Sequence, residues 1–308
     1  MATGFSDTRI LFILCPEQGL RGCRGVYYEV GARLLRVAAP ILRPIRTPMS
    51  DNLLSVREGR LLHLTLNRPE KRNALDMALC RGLVEAVEAA SRDRGIGAIL
   101  LTANGKSFCA GMDLQEIANG TGSNQVNALH EQLFTTGMRL EKPLVAAVHG
   151  AALGGGTGLV SNCHIVVSSA EATYGLTEIR LGLWPFLVFR AVTNALGERR
   201  TVELSLTGRL LPAEEARELG LIHEIAADPE ARAKEVALQL SEASPTAIQN
   251  GLSFVQQVRG MNWQKAGEVA RLVREDVFTS DDFVEGVRAF LEKRSPKWPS
   301  LGEKDTHP

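Results

Sequence analysis

The chain reads as an α/β protein, and three observations predict that class. Short apolar runs with strand character (62–66, 98–101, 144–148 and 165–167) alternate with stretches whose apolar residues recur at helical spacing. Two junctions, Cys109-Ala110-Gly111-Met112-Asp113-Leu114 and Leu153-Gly154-Gly155-Gly156-Thr157, place glycine where a strand hands over to a helix. Beyond residue 228 the pattern is helical only, and no Pro/Ser-rich linker interrupts it. One domain is therefore expected over residues 49–308, with a mixed core over about 52–228 and a helical region over about 229–298.

Residues 1–48 stand apart. They hold seven arginines, no lysine and three acids, with one short apolar patch at 10–14. Such a leader reads as a disordered extension, an upstream start preceding Met49, or an arginine-rich targeting peptide.

From Leu53 the elements follow in order. Leu54-Ser55-Val56 and Leu62-His63-Leu64-Thr65-Leu66 alternate as paired strands do, with Glu58-Gly59 as the turn. Leu75, Leu79, Leu83, Val84 and Val87 mark a helix that Asp76 caps. Ala98-Ile99-Leu100-Leu101 is continuous and apolar, as a strand buried on both faces is. A loop over 103–110 opens a second helix at Gly111 to Leu114, and residues 119–125 form a polar loop before a helix that ends near Leu140. Strands at 144–148, 165–167 and 173–176 follow, with the glycine turn and its helix (to Cys163) between the first two. Pro212 and Gly220 frame a helix that leads into a strand over 221–225. Three or four amphipathic helices fill 229–293, and the end from Ser295 reads as polar and loose.

Composition excludes several classes. Formal net charge is zero, so nothing points to nucleic acid. No apolar run approaches the ~20 residues that span a bilayer. Five cysteines without a CxxC pair favour reduced thiols and a cytoplasmic setting, or the mitochondrial matrix if the leader is a transit peptide. The six histidines show no metal-ligand spacing.

The glycine turn after His149 carries the chemistry. Backbone amides at the positive end of a helix suit a phosphate or a developing oxyanion. A dinucleotide fingerprint needs glycine where Leu159 stands, and a Walker-type loop ending at Gly105-Lys106-Ser107 needs glycine where Leu100 stands. An oxyanion site is the better reading. If the two glycine junctions face each other, each can give one N–H to the same carbonyl oxygen, which typically is the largest single catalytic effect.

Asn67-Arg68-Pro69-Glu70-Lys71-Arg72-Asn73-Ala74-Leu75, the loop 107–114, and the segments 142–158, 207–225 and 285–294 resemble the enoyl-CoA hydratase/isomerase (crotonase) superfamily in order and spacing, over about 52–298. The resemblance implies a spiral of ββα units with a helical trimerisation region, hence a homotrimer or dimer of trimers. It further implies an acyl-CoA thioester substrate of fatty-acid type, with coenzyme A entering as part of the substrate and no separate cofactor or metal. By position, the oxyanion donors are the N–H groups of Met112 and Gly155. Ala110, Gly111, Asp113 and Leu114 line the coenzyme A site, and Gly154 and Gly158 belong to the binding turn.

Hydratases of that family use two glutamates, because water must lose a proton while C2 gains one. Here the first position is Gly158 and the second is Glu178. The segment Gly175-Leu176-Thr177-Glu178-Ile179-Arg180-Leu181-Gly182 is similar to that of Δ3,Δ2-enoyl-CoA isomerases, where one carboxylate suffices to move a proton between C2 and C4. Trp184, Pro185, Phe186 and Leu187 are expected to wall a dry acyl pocket that raises the Glu178 pKa. The simpler alternative for Glu178 is a surface carboxylate paired with Arg180 or Arg190. Isomerase chemistry is expected first. The alternatives are a hydratase, or another family reaction such as thioester hydrolysis or lyase chemistry, with a second acid not identified, and a non-catalytic acyl-CoA-binding homologue; gain of hydration in Gly158→Glu would show the missing carboxylate to be the main deficit. Asp113 reads as a helix cap, Glu116 and Glu131 as solvated, His149 as a local hydrogen-bonding group, and Cys109 as a buried small residue rather than a nucleophile.

Overall fold

The computed structural model describes residues 27–30, 33–36, 51–119 and 124–301. The chain divides into two compact units, Met1–Pro48 and Met49–Pro308. In the first, β1 (Tyr27–Val30) and β2 (Arg33–Arg36) pair antiparallel. The rest of the expected leader, and residues 120–123 of the expected polar loop, lie outside the described residues.

The second unit opens with the expected hairpin. β3 (Leu53–Glu58) pairs antiparallel with β4 (Leu61–Leu66), and Gly59 turns between them at φ +57°. α1 (Met77–Arg92) begins where the Asp76 carboxylate accepts from Leu79 N at 2.7 Å. β5 (Ala98–Ala103) lies parallel to β4 and is buried along its whole length. α2 (Leu114–Ala118) and α3 (Asn124–Thr135) precede β6 (Leu144–Val148). Then come β7 (Ala151–Leu153), α4 (Gly155–Ser161), β8 (Ile165–Ser168) and β9 (Thr173–Gly175). α5 (Phe186–Leu196), α6 (Glu198–Thr207), β10 (Leu211–Pro212), α7 (Ala213–Glu218) and β11 (Glu224–Ile225) complete the mixed part.

Two sheets result. The larger has the order β11-β8-β6-β5-β4-β3, parallel except for the β3–β4 hairpin. The smaller has the order β10-β9-β7. Although β5 is apolar from Ala98 to Leu101, its period of two still sorts its residues: Ile99 and Leu101 join the main core, whereas Ala98 and Leu100 face a second cluster with Ala233 and Ala237 of α8 (Pro229–Ser241). Truncating Leu100, fully buried between these layers, is worth about 2–5 kcal/mol.

Three expectations on element bounds need correction. The glycine turn is not one loop: after Gly150, at φ +60°, residues 151–153 pair with β9 as β7. The strand expected over 221–225 shrinks to Glu224–Ile225, because the amides of Leu221 and Ile222 still bond Ala216 O at the end of α7. The tail from Ser295 is docked as far as Leu301. Trp298 Nε1 donates to Glu242 O at 2.8 Å, and Ser300 N and Oγ donate to the Asp282 carboxylate at 3.0 and 2.8 Å.

The helical end comprises α8, α9 (Pro245–Gln257), α10 (Trp263–Phe278) and α11 (Asp281–Leu291). Asp228, Ser244, Asn262 and Ser280 cap them. Neither α9 nor α10 has a buried residue, and Trp263, Leu272, Phe290 and Leu291 are exposed. Amphipathic helices that bury so little present an apolar face to whatever covers them.

Candidate active site

The two glycine junctions lie side by side as a continuation of the smaller sheet. Cys109 bridges Ala152 and Met112 bridges Leu75, both in parallel sense. Cys109 N donates to Ala151 O at 3.0 Å, and Leu153 N donates to Cys109 O at 2.9 Å. Gly111 takes φ +96°, where a Cβ would stand 2.9 Å from Leu153 O and 3.4 Å from Gly155 N. Only glycine lets the first loop run this close to the second.

Three amides of the two junctions are already satisfied. Ala110 N bonds Arg72 O, Asp113 N bonds Leu75 O and Gly154 N bonds Gly175 O, at 2.8–3.0 Å. Among the described residues the N–H groups of Met112 and Gly155 have no acceptor. Gly155 is the first residue of α4, so its N–H is one of the orphan donors at a helix start. The ring of Phe134 and the side chain of Leu75 flank it, each 3.1 Å from where a Cβ at Gly155 would be.

Glu178 opens a 3-10 turn (Glu178–Leu181) just after β9. Its carboxylate lies against the glycine turn: a Cβ at Gly154 would be 3.1 Å from Oε1 and 3.7 Å from Oε2. Oε2 is buried without a hydrogen-bond partner among the described residues. Burial pushes the carboxyl above its ordinary value, and only its own backbone N–H works the other way. The alternative of a paired surface carboxylate does not hold. Arg180 Nη2 donates instead to Gly208 O at 2.6 Å, and no described ion pair includes Glu178 or Arg190.

Gly158, one turn into α4, is buried among apolar groups. A Cβ there would be 2.3 Å from Val188 Cγ1 and 3.1 Å from Phe134 Cδ1. A glutamate at position 158 is therefore no simple restoration of a second carboxylate, because no side chain fits there unless Val188 moves. The expected wall at 184–187 is corrected. Trp184 is half-buried against Phe189 (ring centroids 6.0 Å apart), but Phe186 is 73% exposed and Leu187 is exposed, so within one chain they do not close a pocket.

Asp113 is more than a cap. Its carboxylate accepts from Gln115 N and Glu116 N and pairs with Arg68 Nη2 at 3.1 Å. Burial alone would raise its pKa, but the Arg68 hydrogen bond and the two amides outweigh that and hold it below the usual range. Leu114, next in line, is exposed, and Ala110 is half-buried. Glu116 accepts from Met77 N at 2.9 Å, which ties α2 to the start of α1 and removes it from the solvated class. Glu131 is exposed, and His149 Nε2 meets Gly105 O at 2.8 Å. The Cys109 thiol is fully buried and pushed up to about 12, unfit for a nucleophile. No metal-type cluster of His, Cys, Asp or Glu occurs among the described residues.

Several supporting residues escaped the reading of the sequence. Arg68 joins Asp76 at 3.2 Å as well as Asp113, so one guanidinium locks the helix start of α1 to the Met112 loop. Asn73, fully buried at φ +53°, accepts from Arg68 N and donates to Asn104 O and Ser107 O. Thr157 Oγ1 bonds Ala152 O, Gly175 O and Gly175 N, which ties α4 to β7 and β9. Arg68 and Asn73 both sit in the 67–75 stretch, but spacing alone does not say what they hold.

Comparison with known proteins gives one answer. Residues 57–301 match the family model described as enoyl-CoA hydratase/isomerase. The chain is 35% identical to a 2,3-dehydroadipyl-CoA hydratase of Escherichia coli, covering 80% of this chain and 98% of that one. It is also 35% identical to an enoyl-CoA hydratase of Mycobacterium tuberculosis, covering 79% and 94%. A solved enoyl-CoA hydratase of Mycobacterium smegmatis superposes with a TM-score of 0.75 at 30% identity, covering 80% and 98%.

Proposed function

The chain belongs to the enoyl-CoA hydratase/isomerase family, and from that premise we propose that it moves a proton through a thioester enolate, as a Δ3,Δ2-enoyl-CoA isomerase. One observation carries the choice of reaction. The Glu178 carboxylate adjoins the glycine turn, while Val188 and Phe134 fill the space at position 158.

In this reading the thioester oxygen accepts from Met112 N–H and Gly155 N–H, neither of which has an acceptor among the described residues. These fixed donors stabilise the oxyanion as C2 loses its proton, an effect of about 2.7–4 kcal/mol per donor. Glu178 removes the C2 proton of a 3-enoyl-CoA and returns it at C4, which shifts the double bond to C2–C3. Its raised pKa suits a group that must both take and give that proton. Coenzyme A is carried as part of the substrate, along the loop 110–114.

Hydration is the second reading, favoured by the hydratase names of the relatives. It requires an acid or base other than residue 158. A non-catalytic acyl-CoA-binding role is the third. We further propose self-assembly through the exposed apolar faces of α9–α11, as a trimer or a dimer of trimers.

Incubation with matched 2-enoyl- and 3-enoyl-CoA panels in labelled water tests the assignment. Isomerisation predicts interconversion of the two panels without oxygen incorporation, abolished in Glu178→Gln. Label at C3 of the 2-enoyl panel overturns it in favour of hydration, and binding without turnover favours the third reading.

A further inference from the structure

The apolar stripe of α9 faces a cleft instead of a packed core. Ile248, Gly251, Leu252 and Val255 recur at i, i+3, i+4 and i+7, the spacing of one helix face. Such a stripe normally buries itself, yet no residue of α9 is buried. It roofs a cleft of about 520 Å³ whose floor is Pro143, His164, Ile165 and Leu240. That volume lies in the range of small-molecule sites, and the lining is apolar except for the one imidazole. Gln249 Nε2 donates to Glu141 Oε2 at 2.9 Å and Gln256 Nε2 to Leu140 O at 3.4 Å, which holds the roof in place. Gly251 helps to keep it open: a Cβ there would meet nothing within 4 Å, although alanine is the more stable residue inside a helix. The cleft is remote from the glycine turn. Pro143 and His164 stand just before the parallel strands β6 and β8, whereas the turn lies beyond the far end of β6, on the order of 15 Å away.

The one polar group of the lining is set up as a donor. His164 Nδ1 accepts from Leu144 N at 3.0 Å, which places the ring proton on Nε2. Burial, and after it the charge of Arg259, push the imidazole pKa down to about 4, so the ring is neutral at pH 7. His164 is half-buried and lines the cleft, and none of its described hydrogen bonds uses Nε2.

Arg259 brings an unanswered positive charge to the rim, one turn beyond Val255. Its Nη1 donates to Met138 Sδ at 2.6 Å, and Asn194 Nδ2 donates to the same sulfur at 3.1 Å; a thioether is a weak acceptor for either. Gly137, beside Met138, packs directly against Asn162 O, two residues before His164. Arg190, one turn before Asn194 on α5, adds like charge to Arg259. No described ion pair includes Arg190 or Arg259.

We propose that this cleft is a second ligand site, for a linear aliphatic monocarboxylate whose chain lies under α9 and whose head takes the His164 Nε2–H and the Arg259 guanidinium. A neutral donor and a guanidinium together match one anionic head, and charge-assisted hydrogen bonds of this kind are the strong ones. The cleft lies beneath α9, on the face turned to the sheet, so its occupant is a small molecule and not another folded surface.

The test is calorimetric titration of the full chain with octanoate, 1-octanol and acetate. Octanoate is expected to bind, 1-octanol to bind ~10-fold or more weakly because it lacks the charge, and acetate, which lacks the chain, to show no heat of binding. Arg259→Gln is expected to bring octanoate down to the level of 1-octanol and to leave 1-octanol unchanged. Gly251→Leu puts a side chain into the open space of the roof and is expected to abolish binding of both, at a Tm equal to or above that of wild type. Absence of octanoate binding by wild type overturns the proposal, and so do equal affinities for octanoate and 1-octanol. Binding that neither variant changes overturns it as well, since the probe then occupies another site such as the glycine turn. Binding by dissociated chains alone, read by sedimentation velocity, would show that a second copy of the chain fills the cleft and would equally overturn it.

Discussion

Val188 occupies the space in which a side chain at Gly158 would begin: a Cβ there would lie 2.3 Å from Val188 Cγ1 and 2.8 Å from Val188 Cβ. The missing carboxylate is thus not a simple vacancy on α4 that one substitution can refill. Gly158→Ala is expected to cost about 1–3 kcal/mol by overpacking, and Gly158→Glu more. Neither gains hydratase activity. Adding Val188→Ala is expected to recover part of the lost Tm. Thermal unfolding of the single and double variants checks this; a Gly158→Glu protein of unchanged Tm that hydrates 2-enoyl-CoA would refute it.

Glu178 bears the whole proton transfer in the proposed reaction. Glu178→Gln keeps the shape and removes the base, so kcat for 3-enoyl-CoA isomerisation is expected to fall about 10²–10⁴-fold. Binding of a saturated acyl-CoA, which needs the amides of Met112 and Gly155 and not the carboxylate, is expected to change little. Steady-state kinetics beside calorimetric titration separates the two. Equal losses in binding and turnover would show that Glu178 shapes the site instead.

The same carboxylate sets a pH dependence with a definite sign. Burial raises its folded-state pKa above the unfolded value, so the folded chain holds the proton over a window where the unfolded chain has lost it. Stability therefore falls as pH rises from the ordinary carboxylate range through the raised value, and stays lower above it. Glu178→Gln removes this term. Its Tm is expected to exceed that of wild type at neutral pH, with the gap closing on acidification. The rate should respond in the opposite direction, since the base works only when ionised: the acidic limb of kcat/KM is expected above the usual carboxylate range. A Tm difference that does not vary with pH would count against an unpaired buried carboxylate.

How legible the site was depends on which physical signal each part leaves in the sequence. Continuous apolar runs such as 98–101 announce buried strands, and glycine at 111 and 154–156 announces backbone meeting backbone, because nothing else fits there. Glu178 was readable as the single carboxylate at its position; that its Oε2 is buried and unpaired depends on packing. The crowding at Gly158 was invisible, since Val188 is thirty residues away in sequence and its role depends on how α5 crosses α4. The exposure of Phe186 is not legible in the sequence, because an apolar residue near a site is as well explained by a partner surface as by a pocket.

Arg68 gives the last prediction. Its side chain is 12% exposed and reaches Asp76 Oδ2 at 3.2 Å, Asp113 Oδ2 at 3.1 Å and Ala74 O at 2.5 Å. Asp76 caps α1 and Asp113 caps α2, so the guanidinium holds two helix starts in register and fixes the loop that carries Met112 N–H. Arg68→Ala leaves the Asp76 and Asp113 carboxylates without their shared cation and is expected to lower Tm. Arg68→Lys keeps the charge but not the fork that serves both acids at once. The lysine variant is therefore expected to recover more of the Tm than of kcat, because oxyanion donors tolerate little misplacement. Asp113→Asn should show the same split in weaker form, since its caps to Gln115 N and Glu116 N survive while the charge that faces Arg68 does not. Parallel recovery of Tm and kcat in Arg68→Lys would mean that Arg68 stabilises the fold without positioning the Met112 amide.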